Sequence, residues 1–221
     1  MDIPILYYGG GFVVCLKPVG VDSETPGMPA LLSRQLHIPE VLCVHRLDKA
    51  VGGVMVYALN RDSAAALSRQ IGDGRFEKEY LAVIHGKMSE PHAELRDLLF
   101  HDRTRNKSYV VTRKRAGVKE AVLDYRVLQE AEGCSLLSVR LRTGRTHQIR
   151  VQFASRGHPL VGDAKYGSPR RDCPVALCSH QLSFAHPVTN EALSFTAPPP
   201  GGYPWNSFQY EYGGTICDTL K

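Results

Sequence analysis

Hydrophobic and polar positions alternate along this chain in a pattern that predicts many short strands and few helices. Apolar runs flank a polar, glycine-containing turn at residues 44–53, which predicts two buried strands that hold the turn at the rim of a sheet. The same reasoning predicts a strand pair around a glycine turn at residues 5–18, and strands at 76–86, 121–129, 135–142, 175–185 and 191–196. A sheet-rich domain is therefore expected.

Helical signals are fewer. Residues 30–37 predict a short helix that ends before Pro39, and Asn60 begins a run of capping residues for a helix over about 62–71. Thr146 is predicted to cap a third helix that runs to Arg156, with Ile149 and Phe153 facing the core. Arg150 lies between these two core positions and is expected to be drawn inward. A buried guanidinium needs a carboxylate or several acceptors, and Asp48 is the candidate carboxylate.

The composition is that of an ordinary globular protein, with 43% hydrophobic and 22% charged residues among 221. One domain over residues 1–200 is expected, followed by an aromatic-rich extension at 201–221. The chain has no run of about 18 apolar residues and no signal-peptide pattern at its N-terminus, and its six cysteines are scattered. These features favour a cytoplasmic protein with buried thiols and no membrane span.

The net charge of +5 is concentrated in the middle of the sequence. Residues 102–171 hold 16 Lys and Arg against 6 Asp and Glu. Within them, the stretch Arg103–Lys119 contains seven basic residues and no acidic one, with Tyr109 interleaved. A basic hairpin of this kind fits contact with phosphates, although a lysine-blunted edge hairpin would look similar. We therefore expect a nucleic-acid partner.

Several segments together resemble one family. The stretches VHRLD at 44–48, KEYLAVIHG at 78–86 and LRTGRTHQIRVQFASRGHPLVGDAKYG at 141–167 are similar to the motifs of the RluA-type pseudouridine synthases, and residues 6–20 and 182–200 also fit in order. The chain departs from the family pattern after Asp48, where Ala50-Val51-Gly52-Gly53 replaces the usual threonine-serine-glycine element. The resemblance begins near residue 5, so no S4 RNA-binding module is expected in front of the catalytic segment.

The resemblance implies a single α+β catalytic domain, with a mixed, mostly antiparallel central sheet, flanking helices and a central RNA-binding cleft. It implies isomerisation of specific uridines in ribosomal or transfer RNA by base flipping, with no cofactor or metal, by a protein expected to act as a monomer. It assigns catalysis to Asp48, Tyr80 and Arg150. Tyr80 would pack beside the uracil, in agreement with strand alternation that places it on an inward face. The predicted RNA-binding residues are His45, Arg46, Arg145, His147 and Gln148, and Arg46 would fill the gap left by the flipped base.

Other functions compete with this one. A noncatalytic RNA-binding protein on the same fold would be expected to lack Asp48, Tyr80 or Arg150, yet all three are present. Cys173 and Cys178 with two later histidines do not match a standard zinc spacing. A Cys43–His45 nucleophile pair is disfavoured. A hydrolase site built on His45, His147 and Asp48 is also disfavoured, because no serine nucleophile elbow accompanies these residues. Taken alone, Asp48 is equally consistent with an ordinary turn aspartate whose side chain caps its own backbone.

Overall fold

The computed structural model describes residues 1–210, and over these residues the chain forms eleven strands and three α-helices. Residues 211–221, including Tyr212 and Cys217 of the predicted extension, lie outside the described part. Over the described part, no helix combines the length and apolar character needed to cross a bilayer.

In chain order, the elements are β1 (Ile5–Gly9), β2 (Phe12–Lys17), α1 (Met28–Leu36), β3 (Leu42–Cys43), β4 (Gly52–Ala58), α2 (Arg61–Gly72), β5 (Glu77–His85), β6 (His92–Asp102), β7 (Lys107–Val111), β8 (Val118–Ala131), β9 (Cys134–Leu141), α3 (Gln148–Ala154), β10 (Leu177–Ala185) and β11 (Ala192–Thr196). Short 3-10 helices occur at Ala164–Tyr166 and Trp205–Ser207. Every predicted strand region contains a strand. The pairs β1–β2, β2–β4, β3–β4, β6–β7, β6–β8, β8–β9 and β10–β11 are antiparallel, and β4 pairs with β10 in parallel. The predicted α+β class with a mostly antiparallel sheet is confirmed.

The chain divides into two compact units. Unit 1 comprises Met1–Glu79 and Cys178–Pro199, and unit 2 comprises Tyr80–Leu177 and residues 200–210. The predicted domain over residues 1–200 contains all the described residues of unit 1 and most of those of unit 2, and its description as one domain stays a prediction.

In unit 1 the strands run in the order β1-β2-β4-β10, with β3 paired to β4 and β11 paired to β10. Helix α2 begins as predicted, because the Asn60 side chain accepts a 2.8 Å hydrogen bond from the Ser63 backbone N–H. Its Leu67 is fully buried in a core that also contains Phe12, Phe184 and Phe195. Packing of α2 against β3 and β4 therefore supports the strands on both sides of the 44–51 loop.

In unit 2 the strand order is β5-β9-β8-β6-β7, and α3 packs against β6 and β7. All residues from Gln148 to Phe153 are buried, as predicted for Ile149, Arg150 and Phe153. The helix is also tied to β6, since Gln152 Nε2 and Arg156 Nη1 donate to the Asp97 carboxylate at 2.7 and 2.8 Å. These contacts fix the helix that carries Arg150.

The predicted limits of α3 are wrong at both ends. The N-terminal cap is His147, which has left-handed backbone geometry at φ 56° and makes no side-chain capping bond. The turn at residues 143–147 is instead held by the first residue of the helix. Gln148 Oε1 accepts a hydrogen bond from Arg145 N at 3.0 Å and one from Thr143 Oγ1 at 2.8 Å. At the C-terminal end, the backbone bonds from Arg156 N to Phe153 O and from Gly157 N to Ala154 O span three residues and not four. The regular α-helix therefore ends at Ala154.

Candidate functional site

Asp48 lies in the loop between β3 and β4 of unit 1, and this loop is held by hydrogen bonds on both sides of the aspartate. Before it, the Ser23 hydroxyl donates to Leu47 O at 2.9 Å and accepts from Leu47 N at 3.3 Å. After it, Val51 N donates to Asp48 O at 2.9 Å, which closes a tight turn. Asp48 itself is partly exposed. The side chain is therefore presented from a backbone with little freedom to shift.

The loop formed by residues 18–24 braces the Asp48 loop. Gly20 N donates to Lys49 O at 2.8 Å, and Tyr57 of β4 donates through its hydroxyl to Ser23 O at 3.0 Å. Arg46 and Lys49 add exposed ion pairs with Glu24 and Asp22, both at 3.3 Å. Exposed pairs of this kind contribute little stability. The backbone bonds and the buried hydroxyls therefore do most of the bracing.

Lys17, at the end of β2, is a buried lysine beneath these two loops that the sequence analysis did not identify. Only 2% of the residue is exposed, and Nζ donates to Val21 O at 2.7 Å and Pro18 O at 3.0 Å, with Lys49 O at 3.5 Å. Burial lowers the pKa of this amine from 10.5 to about 8, although the negative charges of Asp22 and Asp48 act in the opposite direction. The lysine thus places a positive charge near Asp48.

His45 is a structural part of the same loop. Only 6% of it is exposed, and Nε2 accepts from Val56 N at 3.2 Å, so the ring proton is on Nδ1. Burial, with a contribution from Lys78, lowers the pKa of His45 well below its usual value, which keeps the ring neutral. This position favours a role in fixing the loop, and direct contact of His45 with RNA stays a prediction.

Cys43 does not have the environment of a nucleophile. Its thiol donates to His45 O at 2.9 Å, and burial raises the pKa of the thiol to about 11. Reactive cysteines instead have lowered pKa values, since the thiolate is the nucleophile. The neutral His45 ring already accepts a hydrogen bond from Val56 N of β4 through Nε2. The disfavoured cysteine-nucleophile hypothesis therefore gains no support from the geometry.

Tyr80, Arg145, His147, Gln148 and Arg150 belong to unit 2. Tyr80 is 5% exposed in β5, as predicted for an inward-facing residue. Arg150 is also 5% exposed, and its carboxylate partner within unit 2 is Asp163, with Nε–Oδ2 at 2.7 Å and Nη2–Oδ1 at 2.8 Å. The prediction that a buried Arg150 needs a carboxylate is confirmed. Pairing of Arg150 with Asp48 stays a prediction.

Asp163 could not be recognised as a site residue from the sequence pattern. The residue follows Leu160-Val161-Gly162, in a segment that the pattern describes only as a turn-rich loop. An aspartate after a glycine is an ordinary turn residue, so nothing local distinguishes it from one that accepts a buried arginine. The available signal was the buried arginine on α3, which required an acceptor from some other part of the chain.

The predicted RNA-binding residues of unit 2 cluster around the entrance to α3. His147 is 8% exposed and its Nδ1 lies 2.9 Å from the Tyr166 hydroxyl, while Gln148 is 2% exposed and closes the preceding turn. Arg145 is exposed, and its Nε donates to Glu120 O at 2.9 Å. Of the three, Arg145 is the residue with surface available to an anion. RNA contact by all three stays a prediction.

The basic stretch predicted as a hairpin is built around β7, which lies at one end of the strand order in unit 2. Exposed basic side chains occupy the turns on either side of this strand, namely Arg103 and Arg105 before it and Arg113, Lys114 and Arg115 after it. Ser108 N is bonded to Tyr166 Oη at 2.8 Å, which anchors the strand. We refer to these five side chains as the basic turns.

Comparisons with known proteins agree with this architecture. Residues 11–155 match the family model for RNA pseudouridylate synthase. The chain is 32% identical to the dual-specificity RNA pseudouridine synthase RluA of Pasteurella multocida, over 89% of this chain and 93% of that protein. It is also 32% identical to the ribosomal large subunit pseudouridine synthase D of Neisseria meningitidis, over 90% of this chain and 59% of that protein. The solved structure of human RNA Pseudouridylate Synthase Domain Containing 1 superposes with a TM-score of 0.75 at 26% identity, over 90% of this chain and 84% of that one.

Sequence and fold together thus define an RNA-modifying isomerase. The chain belongs to the RNA pseudouridylate synthase family, of the RluA type. Its activity is the conversion of uridine in RNA to pseudouridine. Among residues 1–210, no three His, Cys, Asp or Glu side chains are grouped so as to hold a metal ion.

Proposed function

We propose that Asp48 is the essential carboxylate of this isomerisation, with Arg150 and Tyr80 as its catalytic partners, and that the substrate is a structured ribosomal or transfer RNA. The observation that carries the proposal is the bracing of the Asp48 loop within unit 1. The backbone that carries the carboxylate is held on both sides, by Ser23 and by the Asp48–Val51 turn, and a reacting group requires such pre-organisation.

The reaction breaks the bond between N1 of uracil and C1′ of ribose, and then forms a bond between C5 and C1′. The C5 position loses its proton and N1 gains one, so the atoms balance without an oxidant and without net consumption of water. Asp48 either attacks C1′ or removes a proton from C2′, and both routes need an ionised carboxylate. Arg150 favours that ionised form, and Tyr80 packs beside the base and takes part in the loss of the C5 proton.

A uridine inside folded RNA must leave its stack before this chemistry begins. Arg46 suits the proposed role of filling the vacated position. Its side chain is 61% exposed, and among residues 1–210 its ion pair is with the exposed Glu24, at 3.3 Å. A surface pair of this strength is easily exchanged for contacts with RNA.

The basic turns of unit 2 supply the contact with the RNA backbone. Arg113 and Lys114 are exposed side chains at a loop tip, and neither has a carboxylate partner among residues 1–210. RNA is held largely by shape and phosphate contacts, which basic side chains on exposed turns provide. The ribosomal large subunit named for one relative, together with this surface, supports a structured RNA substrate in preference to free nucleotides.

The direct test measures tritium release from RNA labelled at C5 of uridine, since each pseudouridine formed frees one C5 hydrogen. Ribosomal and transfer RNA transcripts are assayed with the wild-type protein and with Asp48→Asn. The substitution is expected to abolish release while RNA affinity, measured by filter binding, stays unchanged. Asp62→Asn makes the same chemical change on the exposed first turn of α2 and serves as the matched control. Substantial turnover by Asp48→Asn would overturn the assignment.

A further inference from the structure

The Arg150–Asp163 pair differs from the surface ion pairs of this protein. Its side chains are only 6% and 1% exposed, and both carboxylate oxygens receive a guanidinium N–H. By contrast, two of the arginine side chains that form surface pairs, Arg96 and Arg142, are 54% and 61% exposed. A two-bond fork in a buried setting fixes the plane of the guanidinium as well as its position.

A second contact holds the guanidinium from its face. The Arg150 Cζ atom lies 5.1 Å from the centroid of the Tyr166 ring, within the range of a cation–π contact. The ring is itself fixed, because Tyr166 Oη accepts from Ser108 N at 2.8 Å and lies 2.9 Å from His147 Nδ1. Burial raises the pKa of this phenol to about 12, so the hydroxyl keeps its proton and can donate it to His147.

Asp163, which binds the guanidinium edge, and Tyr166, which covers its face, belong to one short segment at residues 160–168. Internal hydrogen bonds hold this segment in place. Tyr166 N and Ser168 N both donate to Asp163 O, at 3.1 and 3.0 Å. Gly162 precedes the aspartate with φ +78°, and a Cβ atom there would lie 2.2 Å from Pro174 O, so the backbone passes where only glycine fits. Ser168 Oγ also accepts from Gly162 N at 3.1 Å. The segment therefore presents Asp163 to α3 in one orientation.

The fork engages two of the three guanidinium nitrogens of Arg150. It uses Nε and Nη2, so Nη1 lies outside the Asp163 contact. A guanidinium fixed in this way presents its remaining N–H groups in one direction. We infer that Asp163 is a positioning residue that sets the orientation of Arg150 for the isomerisation, with Tyr166 supporting the same orientation. This inference rests on the catalytic role of Arg150 in the proposed function.

The test compares Asp163→Asn with the wild type in single-turnover tritium-release assays at saturating protein. The asparagine side chain has one acceptor oxygen, and its NH2 group takes the place of the second carboxylate oxygen. Because this NH2 group cannot accept from the guanidinium, one of the two bonds of the fork is lost. A misplacement of about 1 Å at a reacting group costs about 10²-fold in rate. We expect a loss of that order with unchanged RNA affinity. A folded Asp163→Asn protein with the wild-type rate would overturn the inference.

Two further variants separate positioning from a purely structural role. Leu136→Ala removes a fully buried side chain of β9 in the same unit and is expected to lower the melting temperature while leaving the rate of the folded protein unchanged. In an Arg150→Lys background, which is chosen to leave measurable activity, Asp163→Asn is expected to cost far less than in the wild type, because the fork is already absent. Equal losses in both backgrounds would contradict action through Arg150.

The proposed function and this inference fail in distinguishable ways. Full activity of Arg150→Met would remove the catalytic role of the arginine itself. An inactive Arg150→Met beside a fully active, folded Asp163→Asn would leave that role intact and overturn only the positioning. If Asp163→Asn does not fold, Asp163→Glu keeps the charge pair and moves the fork by one methylene. The same loss of rate is then expected, and a wild-type rate would again overturn the inference.

Discussion

Replacing Lys17 with methionine tests how the Asp48 loop is supported. Methionine keeps the length of the side chain but removes the amine that donates to Pro18 O and Val21 O. Burial lowers the pKa of the Lys17 amine to about 8 in the folded protein, against 10.5 for an ordinary lysine. Between these two pH values, the unfolded chain binds more protons at this position than the folded chain does. The contribution of Lys17 to the free energy of unfolding therefore rises with pH across this window.

The size of the effect follows from the two pKa values. Each pKa unit corresponds to about 1.4 kcal/mol, so the interval from about 8 to 10.5 sets an upper limit of roughly 3 kcal/mol. The wild-type curve alone does not isolate this contribution. Burial raises the pKa of the Cys15 and Cys178 thiols to about 12, and such groups make stability fall with pH above the ordinary cysteine pKa. The difference between wild type and variant cancels the contribution of the thiols.

The assay is urea unfolding of both proteins at several pH values from 7 to 10.5. We expect Lys17→Met to be less stable throughout, since carbonyls lose their donor, and the deficit to grow by up to roughly 3 kcal/mol toward high pH. Lys49→Met removes a charge from the same loop at a surface position and shows how much of any change comes from charge alone. A deficit that stays constant from pH 7 to 10.5 would refute the lowered pKa of Lys17.

Two further predictions concern RNA binding and folding. Arg113→Gln combined with Lys114→Gln is expected to reduce the slope of log affinity against log salt by roughly 1.4, if each side chain contacts one phosphate. An unchanged slope, equal to that of the exposed-charge control Lys87→Gln, would place the RNA elsewhere. Asn60→Ala removes the capping bond to Ser63 N and is expected to lower the free energy of unfolding by about 1 kcal/mol in urea titrations. A loss below about 0.3 kcal/mol would show that the cap contributes little.

Local pattern was enough to predict the strands and helix α2. Continuous apolar runs mark β2 and β4, whose residues are nearly all buried, and Asn60 marks a helix start because its side chain replaces a backbone acceptor. Pattern did not predict the parallel pairing of β4 with β10, in which Gly52 and Cys178 are partners. Contacts so distant in sequence depend on packing that no short window contains.

The site was predicted in part for the same reason. Asp48 stood out because it lies in a polar turn between two apolar runs, and Arg150 because it interrupts an apolar helix face. Lys17 and Asp163 are as deeply buried as Arg150, yet neither could be recognised from the sequence. A lysine at a strand end and an aspartate in a glycine turn normally face water. Only the carbonyls around Lys17 and the guanidinium beside Asp163 identify them, and these partners come from other segments.

The most direct test of the central claim is a map of pseudouridines in total RNA from a strain of the source organism that lacks this gene. Carbodiimide modification followed by reverse transcription detects each site, and the strain is complemented with the wild type or with Asp48→Asn. We predict at least one uridine in ribosomal or transfer RNA that loses modification in the deletion strain and regains it only with the wild-type gene. Restoration of the same site by Asp48→Asn would contradict the account.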